Sequence, residues 1–417
     1  MNEYVYSFAL QVYALLLQQA SWLNPKARQW VNGRKGLFAQ LAKAISENTA
    51  PLAWFHCASL GEFEQARPVM EAFRRKYPTY KIFLTFFSPS GFEVRKNYPG
   101  ADYVFYLPLD TRENALKFIK LVKPAIAFFA KYEFWHHYLT QLNKQAIPAI
   151  SFSAIFREDQ VFFKTYGKFF RKILNRFEHI FVQNQQSATL LASVGIQQVS
   201  VAGDTRFDRV KTICDQKKDL PLVRNFKNGQ KLLVIGSSWP HDMDVLVPFL
   251  NQFPEPLKII VAPHEIHEEQ IVSLQKLLQK KSVRFSQAQE ATISVYDVLI
   301  IDNIGMLSSL YQYGEFAYIG GAFGKGLHNI LEAATFGMPV FFGPNYQKFQ
   351  EAKELIDLKA AIAIANAEEF AQAFTYLYTQ EAARLKKANI AQQYVEKNTG
   401  ATQKILDYCQ KLLQVNR

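Results

Sequence analysis

At 417 residues, 49% hydrophobic and 20% charged, the chain is long enough for two domains with full cores, and its composition excludes a disordered or low-complexity protein. A formal net charge of +12 points to anionic partners: nucleic acid, lipid headgroups or phosphorylated substrates. The three cysteines, Cys57, Cys214 and Cys409, are widely separated and show no CxxC spacing, which argues against zinc and redox motifs and for a reducing cytoplasm.

The first element is an uncharged stretch from Tyr4 to Pro25 containing VYALLL. About 20 apolar residues can span a bilayer, but Ser7, Gln11, Gln18, Gln19 and Ser21 interrupt this run. On a helix Ser7, Gln11 and Gln18 fall on one narrow stripe. The stretch therefore reads as an anchor lying in or dipping into the interface, or packing that stripe on protein. Lys26, Arg28, Arg34 and Lys35 follow it. Basic residues after the apolar run keep the main body cytoplasmic and argue against a cleaved signal peptide.

Beyond residue 50, apolar runs alternate with helical patterns. Strands are expected at Leu52–Ala58, Lys81–Phe87, Tyr103–Leu107, Ala125–Ala130, Ala149–Phe152 and Ile180–Gln183. The regularity lapses in a charged stretch, Gly203 to Gly229, and resumes at Lys231–Ile235, Leu257–Ala262, Val298–Ile301, Phe316–Ile319 and Val340–Phe342. This pattern predicts an α/β protein with two doubly wound parallel sheets, whose ligands lie beyond the carboxyl ends of the strands and in a cleft between facing domains. The expected boundaries are 1–35 for the anchor and its basic flank, 36–205 and 230–395 for the domains, 206–229 for the linker and 396–417 for a C-terminal helix.

Several loops at expected strand ends carry chemistry. In HCASLGEFEQARP (His56–Pro68), Ser59-Leu60-Gly61-Glu62 fits a capping box, and Glu62 also stands where a general base would. AKYEFWHHYL (Ala130–Leu139) places Lys131 and Glu133 at a strand end, as site residues or as a surface ion pair. FFKTYGKFFRKILNRF (Phe162–Phe177) interleaves five basic residues with aromatics, as a membrane-surface helix does. No nucleic-acid motif accompanies these charges. In the second half, GGAFGKGLHNILEAATFGMP (Gly320–Pro339) sets glycines before a short helix expected near His328. A phosphate at its N-terminus and a ribose against Glu332, which shares a face with Asn329, would make a nucleotide site. The loops GSSWPHD (Gly236–Asp242), APHEIHEE (Ala262–Glu269) and DNIGML (Asp302–Leu307) lie at other strand ends, and HEIH is a weak metal-ligand spacing.

Taken together, HCASLGE, TFFSPSGFE (Thr85–Glu93), YEFW, GDTRFD (Gly203–Asp208), DNIGML and GLHNILEAATFGMPVFFGPNYQKF (Gly326–Phe349), in this order and spacing, resemble the 3-deoxy-D-manno-oct-2-ulosonic acid (Kdo) transferases of lipopolysaccharide synthesis. The resemblance implies a GT-B glycosyltransferase with an N-terminal hydrophobic anchor, on the cytoplasmic side of the inner membrane. It implies inverting transfer from CMP-Kdo to a lipid A precursor, with no metal and no other cofactor. It makes Glu62 the general base, Arg206 a helper at the reaction centre, and Asn329, Ile330, Leu331 and Glu332 the CMP-binding segment, with Gly305, Met306 and Leu307 facing the nucleotide. Three positions depart from the family pattern. Lys131 replaces the first glutamate of METELW, whose second is matched by Glu133. Pro263-His264 keeps the histidine of Pro-Arg-His without its arginine, a contact that another residue such as Lys325 could supply. FSAIFRE replaces the NAR-type segment, with Arg157 its nearest basic residue. The rival readings are a GT-B transferase or epimerase using a UDP-sugar, and a non-enzymatic basic binding protein.

Overall fold

The computed structural model describes residues 2–216, 218–324 and 326–415. The chain divides into two compact units, Met1–Arg209 with Thr399–Arg417, and Val210–Asn398.

The first unit holds strands β1 (Leu52–Cys57), β2 (Lys81–Phe86), β3 (Tyr103–Tyr106), β4 (Pro124–Ala130), β5 (Ala149–Ala154), β6 (His179–Val182) and β7 (Val199–Val201). They form one sheet in the order β3-β2-β1-β4-β5-β6-β7, and every pairing is parallel. Such a sheet is covered on both faces, so its strands read as unbroken apolar runs. Alternate residues of β1 serve opposite cores: Leu52 and Trp54 join one cluster, and Ala53, Phe55 and Cys57 the other.

The second unit holds β8 (Lys231–Ser238), β9 (Leu257–Pro263), β10 (Ser282–Arg284), β11 (Val298–Ile300), β12 (Phe316–Ile319), β13 (Val340–Phe342) and β14 (Ala361–Ala363). Their order is β10-β11-β9-β8-β12-β13-β14, again with parallel pairings. The two doubly wound sheets agree with the expectation. Strands β7, β10 and β14 were not expected; each is a three-residue strand at a sheet edge, too short for an alternation signal.

In each sheet the strand order reverses at one point, between β1 and β4 and between β8 and β12. Ligand crevices in open α/β sheets form where loops diverge at such points. Residues 58–62 and 131–135 flank the first; residues 239–242, 320–324 and 326–328 flank the second.

The C-terminal helix Ala401–Val415 belongs to the first unit. Its Ile405, Leu406 and Cys409 enter the core beneath the helix Leu60–Lys76. Asp208 accepts the amides of Gly400 (2.6 Å) and Thr402 (2.7 Å), which ties the GDTRFD segment to the start of that helix.

The N-terminal helix spans Glu3–Ala20 and buries none of its residues fully. Among the described residues, no helix is long and apolar enough to cross a membrane. Nor does the expected polar stripe face the protein as a whole. Ser7 bonds His137 (2.9 Å), but Gln11 and Gln18 are exposed. The inward face is Tyr6, Ser7, Leu10, Ala14 and Leu17. Tyr4, Val5, Phe8, Val12, Leu15 and Leu16 point outward, followed by the exposed Trp22 and Leu23.

The basic aromatic stretch is broken. Val161–Phe163 and Thr165–Gly167 are short 3₁₀ turns, and only Lys168–Leu174 is α-helical. Arg171 donates to the carbonyls of Phe162 and Lys164 (both 2.9 Å), while Phe162, Phe169 and Phe177 are buried. Much of this stretch is therefore interior packing.

Candidate active site

At the first switch point the chain leaves β1 with His56 and Cys57 and enters the helix Leu60–Lys76 through Ser59. Glu62 folds back on this turn. Its Oε2 accepts the Ser59 amide (2.7 Å) and the Ser59 hydroxyl (2.6 Å). The glutamate is thus oriented by the cap and remains partly exposed.

Glu133 has a different setting. It is 7% exposed, and its Oε2 accepts from His56 Nε2 (3.0 Å) and the Trp135 indole N–H (2.7 Å). A carboxylate only accepts, so His56 carries its proton on Nε2, and Nδ1 takes the Thr85 hydroxyl at 2.9 Å. Glu133 is therefore turned inward on His56 and Trp135, and the expected Lys131–Glu133 surface pair gives way to this buried network. Lys131 adopts a left-handed backbone, φ 62°, with its ammonium 5.5 Å from the Tyr132 ring centroid. Glu62 and Glu133 both act on the fully buried Cys57 thiol, which burial first and these carboxylates second push well up from its ordinary value. The two glutamates thus share the end of β1.

Arg206 is clamped by Asp204, which accepts its backbone amide, Nε and Nη2, each at 2.9 Å. Gln65, three residues after Glu62, donates to both oxygens of Asp204 (3.3 Å). Arg206 is thereby fixed beside the Glu62 helix, with part of its charge already balanced. Arg157 is exposed in the loop after β5.

In the second unit, Pro263, His264, Gly305 and Leu307 line one cavity of about 480 Å³. Met306 caps the short helix Leu307–Leu310. Ser308 of that helix donates to Glu332 (2.7 Å), and Asn329 donates to the other Glu332 oxygen (3.1 Å). The DNIGML and HNILE segments are thus brought together. The expected helix is shorter and later than the sequence suggested: it spans Leu331–Thr335, three residues past His328. The amides proposed for phosphate are also engaged, His328 N by Gly320 O (3.3 Å) and Leu331 N by Asn329 Oδ1 (3.1 Å). Ile330 and Leu331 are fully buried, which leaves only their backbone for a ligand. Lys325 lies outside the described residues.

A larger cavity, about 660 Å³, opens at the second switch point between Trp239 on one side and Gly321, Gly324 and Gly326 to His328 on the other. Asp242 builds its wall, accepting from Trp239 N (2.8 Å), Gly321 N (2.9 Å) and Tyr318 OH (2.8 Å). Gly320 is needed for this approach, since a Cβ there would stand 2.3 Å from Ser237 O. Trp239, His264 and His328 stack, with His264 and His328 centroids 4.1 Å apart, and Trp239 Nε1 donates to His328 Nε2 at 2.9 Å. The sequence reading omitted His56, Trp135, Asp204, Trp239, Asp242 and His328 from the site. The motifs quoted from the sequence contain all six, but nothing in their spacing shows which side chains meet.

Among the described residues, HEIH forms no metal cluster; Glu265 pairs with His267 at 3.0 Å. One group has metal-ligand geometry: Glu3, His136 and His137. Its chemistry is unsuited. Arg176 Nη1 donates to His136 Nδ1 (2.9 Å), so the proton of the neutral ring sits on Nε2, the atom that would ligate. Burial, then Arg176, hold His136 down to about 4; burial, then His264, hold His328 down to about 4. Their stabilisation is complete above the ordinary imidazole value of 6.5 and is lost as pH falls from there through about 4. Asp110 opposes this. Burial raises it to about 6 against the donors Tyr6 OH and the His137 and Tyr138 amides, so its contribution is lost as pH rises. Burial also lowers His137 and His179 and raises Asp242, so four histidines stand against two acids, and the melting temperature should fall on acidification from pH 7 to pH 5, less steeply in His136→Gln.

The architecture has clear parallels. A putative UDP-N-acetylglucosamine 2-epimerase from Listeria monocytogenes superposes with a TM-score of 0.60 at 12% identity, covering 88% of this chain and 97% of that one. The UDP-GlcNAc 2-epimerase from Neisseria meningitidis, in a structure bound to UDP-GlcNAc, gives 0.60 at 16% identity, covering 86% and 99%. At such identities the likeness speaks for fold alone, and that fold, two parallel-sheet α/β units, is GT-B. Within this class the sequence is more specific. Residues 31–209 match the 3-deoxy-D-manno-octulosonic-acid transferase (kdotransferase) family model. The 3-deoxy-D-manno-octulosonic acid transferase of Rickettsia prowazekii is 27% identical over 408 residues, 96% of this chain and 87% of that protein. That of Chlamydophila psittaci is 26% identical over 326 residues, 76% and 75%. In sequence the chain is therefore similar to the Kdo transferases.

Proposed function

We propose that the chain transfers Kdo from CMP-Kdo to a lipid A precursor, inverting the anomeric carbon, with Glu62 as general base. The observation that carries this reading is the partly exposed, cap-oriented Glu62 carboxylate at the switch point of the domain that matches the family model. The acceptor hydroxyl gives its proton to Glu62 as its oxygen bonds the anomeric carbon, and CMP departs with the bonding pair. Arg206, held by Asp204, stabilises charge at the reaction centre. Glu133 orients the end of β1 through His56 rather than exchanging protons. Lys131 adds a cation where the family pattern has an acid. The cavity lined by His264, Gly305 and Leu307 receives the nucleotide, near Asn329 and Glu332. No step uses a metal. Transfer from CMP-Kdo, generated in situ, to a tetraacylated lipid A precursor should proceed in EDTA, and CMP rather than UDP should protect the protein against heat. Binding of CMP without transfer overturns the acceptor assignment; protection by UDP alone overturns the donor.

The enzyme works on the cytoplasmic face of the inner membrane in this reading. Support comes from the outward apolar face of Glu3–Ala20, from Trp22 and Leu23, and from the exposed Lys26 and Arg28 beside them. Phe8→Asp with Leu15→Asp should abolish cosedimentation with anionic vesicles while leaving the melting temperature within a few degrees. Unchanged cosedimentation would remove this face from the membrane contact.

A further inference from the structure

Arg67, Glu71 and Arg74 stand at i, i+4 and i+7 of the helix Leu60–Lys76 and so share one of its faces. With Arg75 and residues 98–100 they line a cavity of about 460 Å³ that belongs to neither switch point. The last turn of this helix leads toward β2, and Gly100 leads toward β3. The cavity therefore opens toward the amino ends of the strands, away from the crevice beside Glu62. Three arginines here face one glutamate. Glu71 Oε1 accepts from Arg67 Nε and from the Tyr98 hydroxyl, both at 2.7 Å, and no acceptor meets the Arg67 Nη groups among the described residues. Arg74 Nη1 is buried without a hydrogen bond. Its carboxylate neighbour, Asp102, stands 3.7 Å away and is already held by Lys81 (3.0 Å) and the Ile82 amide (2.8 Å). Arg75 is exposed and pairs with no acid among the described residues.

We propose that this cavity is an anion site apart from the reaction centre, and that it takes a free diphosphate or phosphate-ester group on the guanidinium forks of Arg67, Arg74 and Arg75. Cations gathered on one wall repel each other, and a buried donor without an acceptor is costly; an anion relieves both. Planar guanidinium forks meet phosphate oxygens two at a time, which a cluster of lysines could not do. The one carboxylate, Glu71, is already paired through Arg67 Nε. The facing wall is fixed. Tyr98 is 9% exposed, its hydroxyl held by Glu71 and its ring edge-on to Phe63 at 5.0 Å and 5.6 Å from the Arg67 guanidinium. Gly100 makes room for that ring, since a Cβ there would stand 2.4 Å from it. The volume lies within the ~300–1,000 Å³ range of small-molecule sites. None of the residues given a part in Kdo transfer lines this cavity, so the inference stands without that reading.

The probe is sodium diphosphate. Its binding is measured by isothermal titration calorimetry in EDTA for the wild type, Arg75→Gln, the double variant Arg67→Gln with Arg74→Gln, and Lys76→Gln. The site predicts a Kd about tenfold higher in Arg75→Gln, the worth of one charged hydrogen-bonding group, and higher still in the double variant. Arg75 is exposed, so its variant serves if the double one fails to fold. Lys76 is next along the chain but donates to Gln410 (2.8 Å) outside the cavity, and its loss should leave the Kd within about twofold. No binding by the wild type overturns the assignment. So does equal affinity in all four proteins, and so does equal weakening by Lys76→Gln, which would reduce the effect to general basic charge. Cosedimentation with phosphatidylglycerol vesicles distinguishes a free anion from a lipid headgroup, and it should be the same in Arg75→Gln as in the wild type. Vesicle binding lost in that variant, with diphosphate binding unchanged, would make the occupant a headgroup and overturn the free-anion assignment.

Discussion

Glu62→Gln should lower the rate of Kdo transfer by roughly 10²–10⁴-fold, the usual worth of a positioned general base, while CMP binding is unchanged. The variant keeps a side chain of the same length, and the Ser59 amide and hydroxyl that now donate to Oε2 can still donate to an amide oxygen. Loss of charge at the cap costs about 1 kcal/mol at most. The two roles of Glu62 therefore separate in a single variant. A base gives a folded, CMP-binding, inactive protein; a mere cap gives a slightly less stable protein with full turnover. Single-turnover kinetics in acceptor excess, with a urea melt of the same sample, reads both. Glu133→Gln provides the contrast. Its carboxylate is buried on His56 and Trp135, so the effect should appear in stability at least as strongly as in rate.

Arg34→Ala should destabilise the first unit by about 3 kcal/mol, a large fraction of ordinary domain stability. The sequence placed Arg34 in a basic flank facing a membrane. Instead its guanidinium lies 3.9 Å from the Trp30 ring centroid and 4.9 Å from those of Phe87 and Tyr106. It donates to the carbonyls of Trp30 (3.1 Å), Phe87 (2.8 Å) and Leu107 (2.9 Å). Burial among these rings pushes this arginine down to about 9. Alanine would leave buried carbonyls without donors and the three rings around a void. Arg34→Lys should recover little, because one ammonium cannot reach three diverging carbonyls while stacking on rings. A shift in the urea midpoint without a change in slope is the expected reading. An unchanged midpoint would mean that water replaces the cage at no cost.

Much of the architecture could be read before any coordinates. Parallel strands buried on both faces must be apolar throughout, so LAWFHC, KIFLTF and KLLVIGSS announce themselves. Capping chemistry is local, and Ser59 and Glu62 meet as their spacing requires. The three-residue edge strands escaped notice because so few residues carry no period. In the basic aromatic stretch the charge pattern does not say which carbonyls its arginines will find; Arg171 donates to Phe162 and Lys164.

The alternating pattern of strands and helices, together with the order of short motifs, was enough for two α/β domains, for a resemblance to the Kdo transferases and for Glu62 as the residue to question. These are properties of neighbours along the chain, where backbone geometry allows few outcomes. Tertiary structure alone decided which distant groups meet. His56 finds Glu133 across 77 positions, Trp239 finds His328 across 89, and Asp208 receives the C-terminal helix across more than 190. Such contacts depend on strand order and on the reversal at each switch point, and periodicity carries no information about either. For the same reason Glu133, a site residue or surface partner in the sequence reading, became buried, and Arg34 of the basic flank half-buried: a charged side chain is drawn inside only where the fold has gathered partners enough to replace its water.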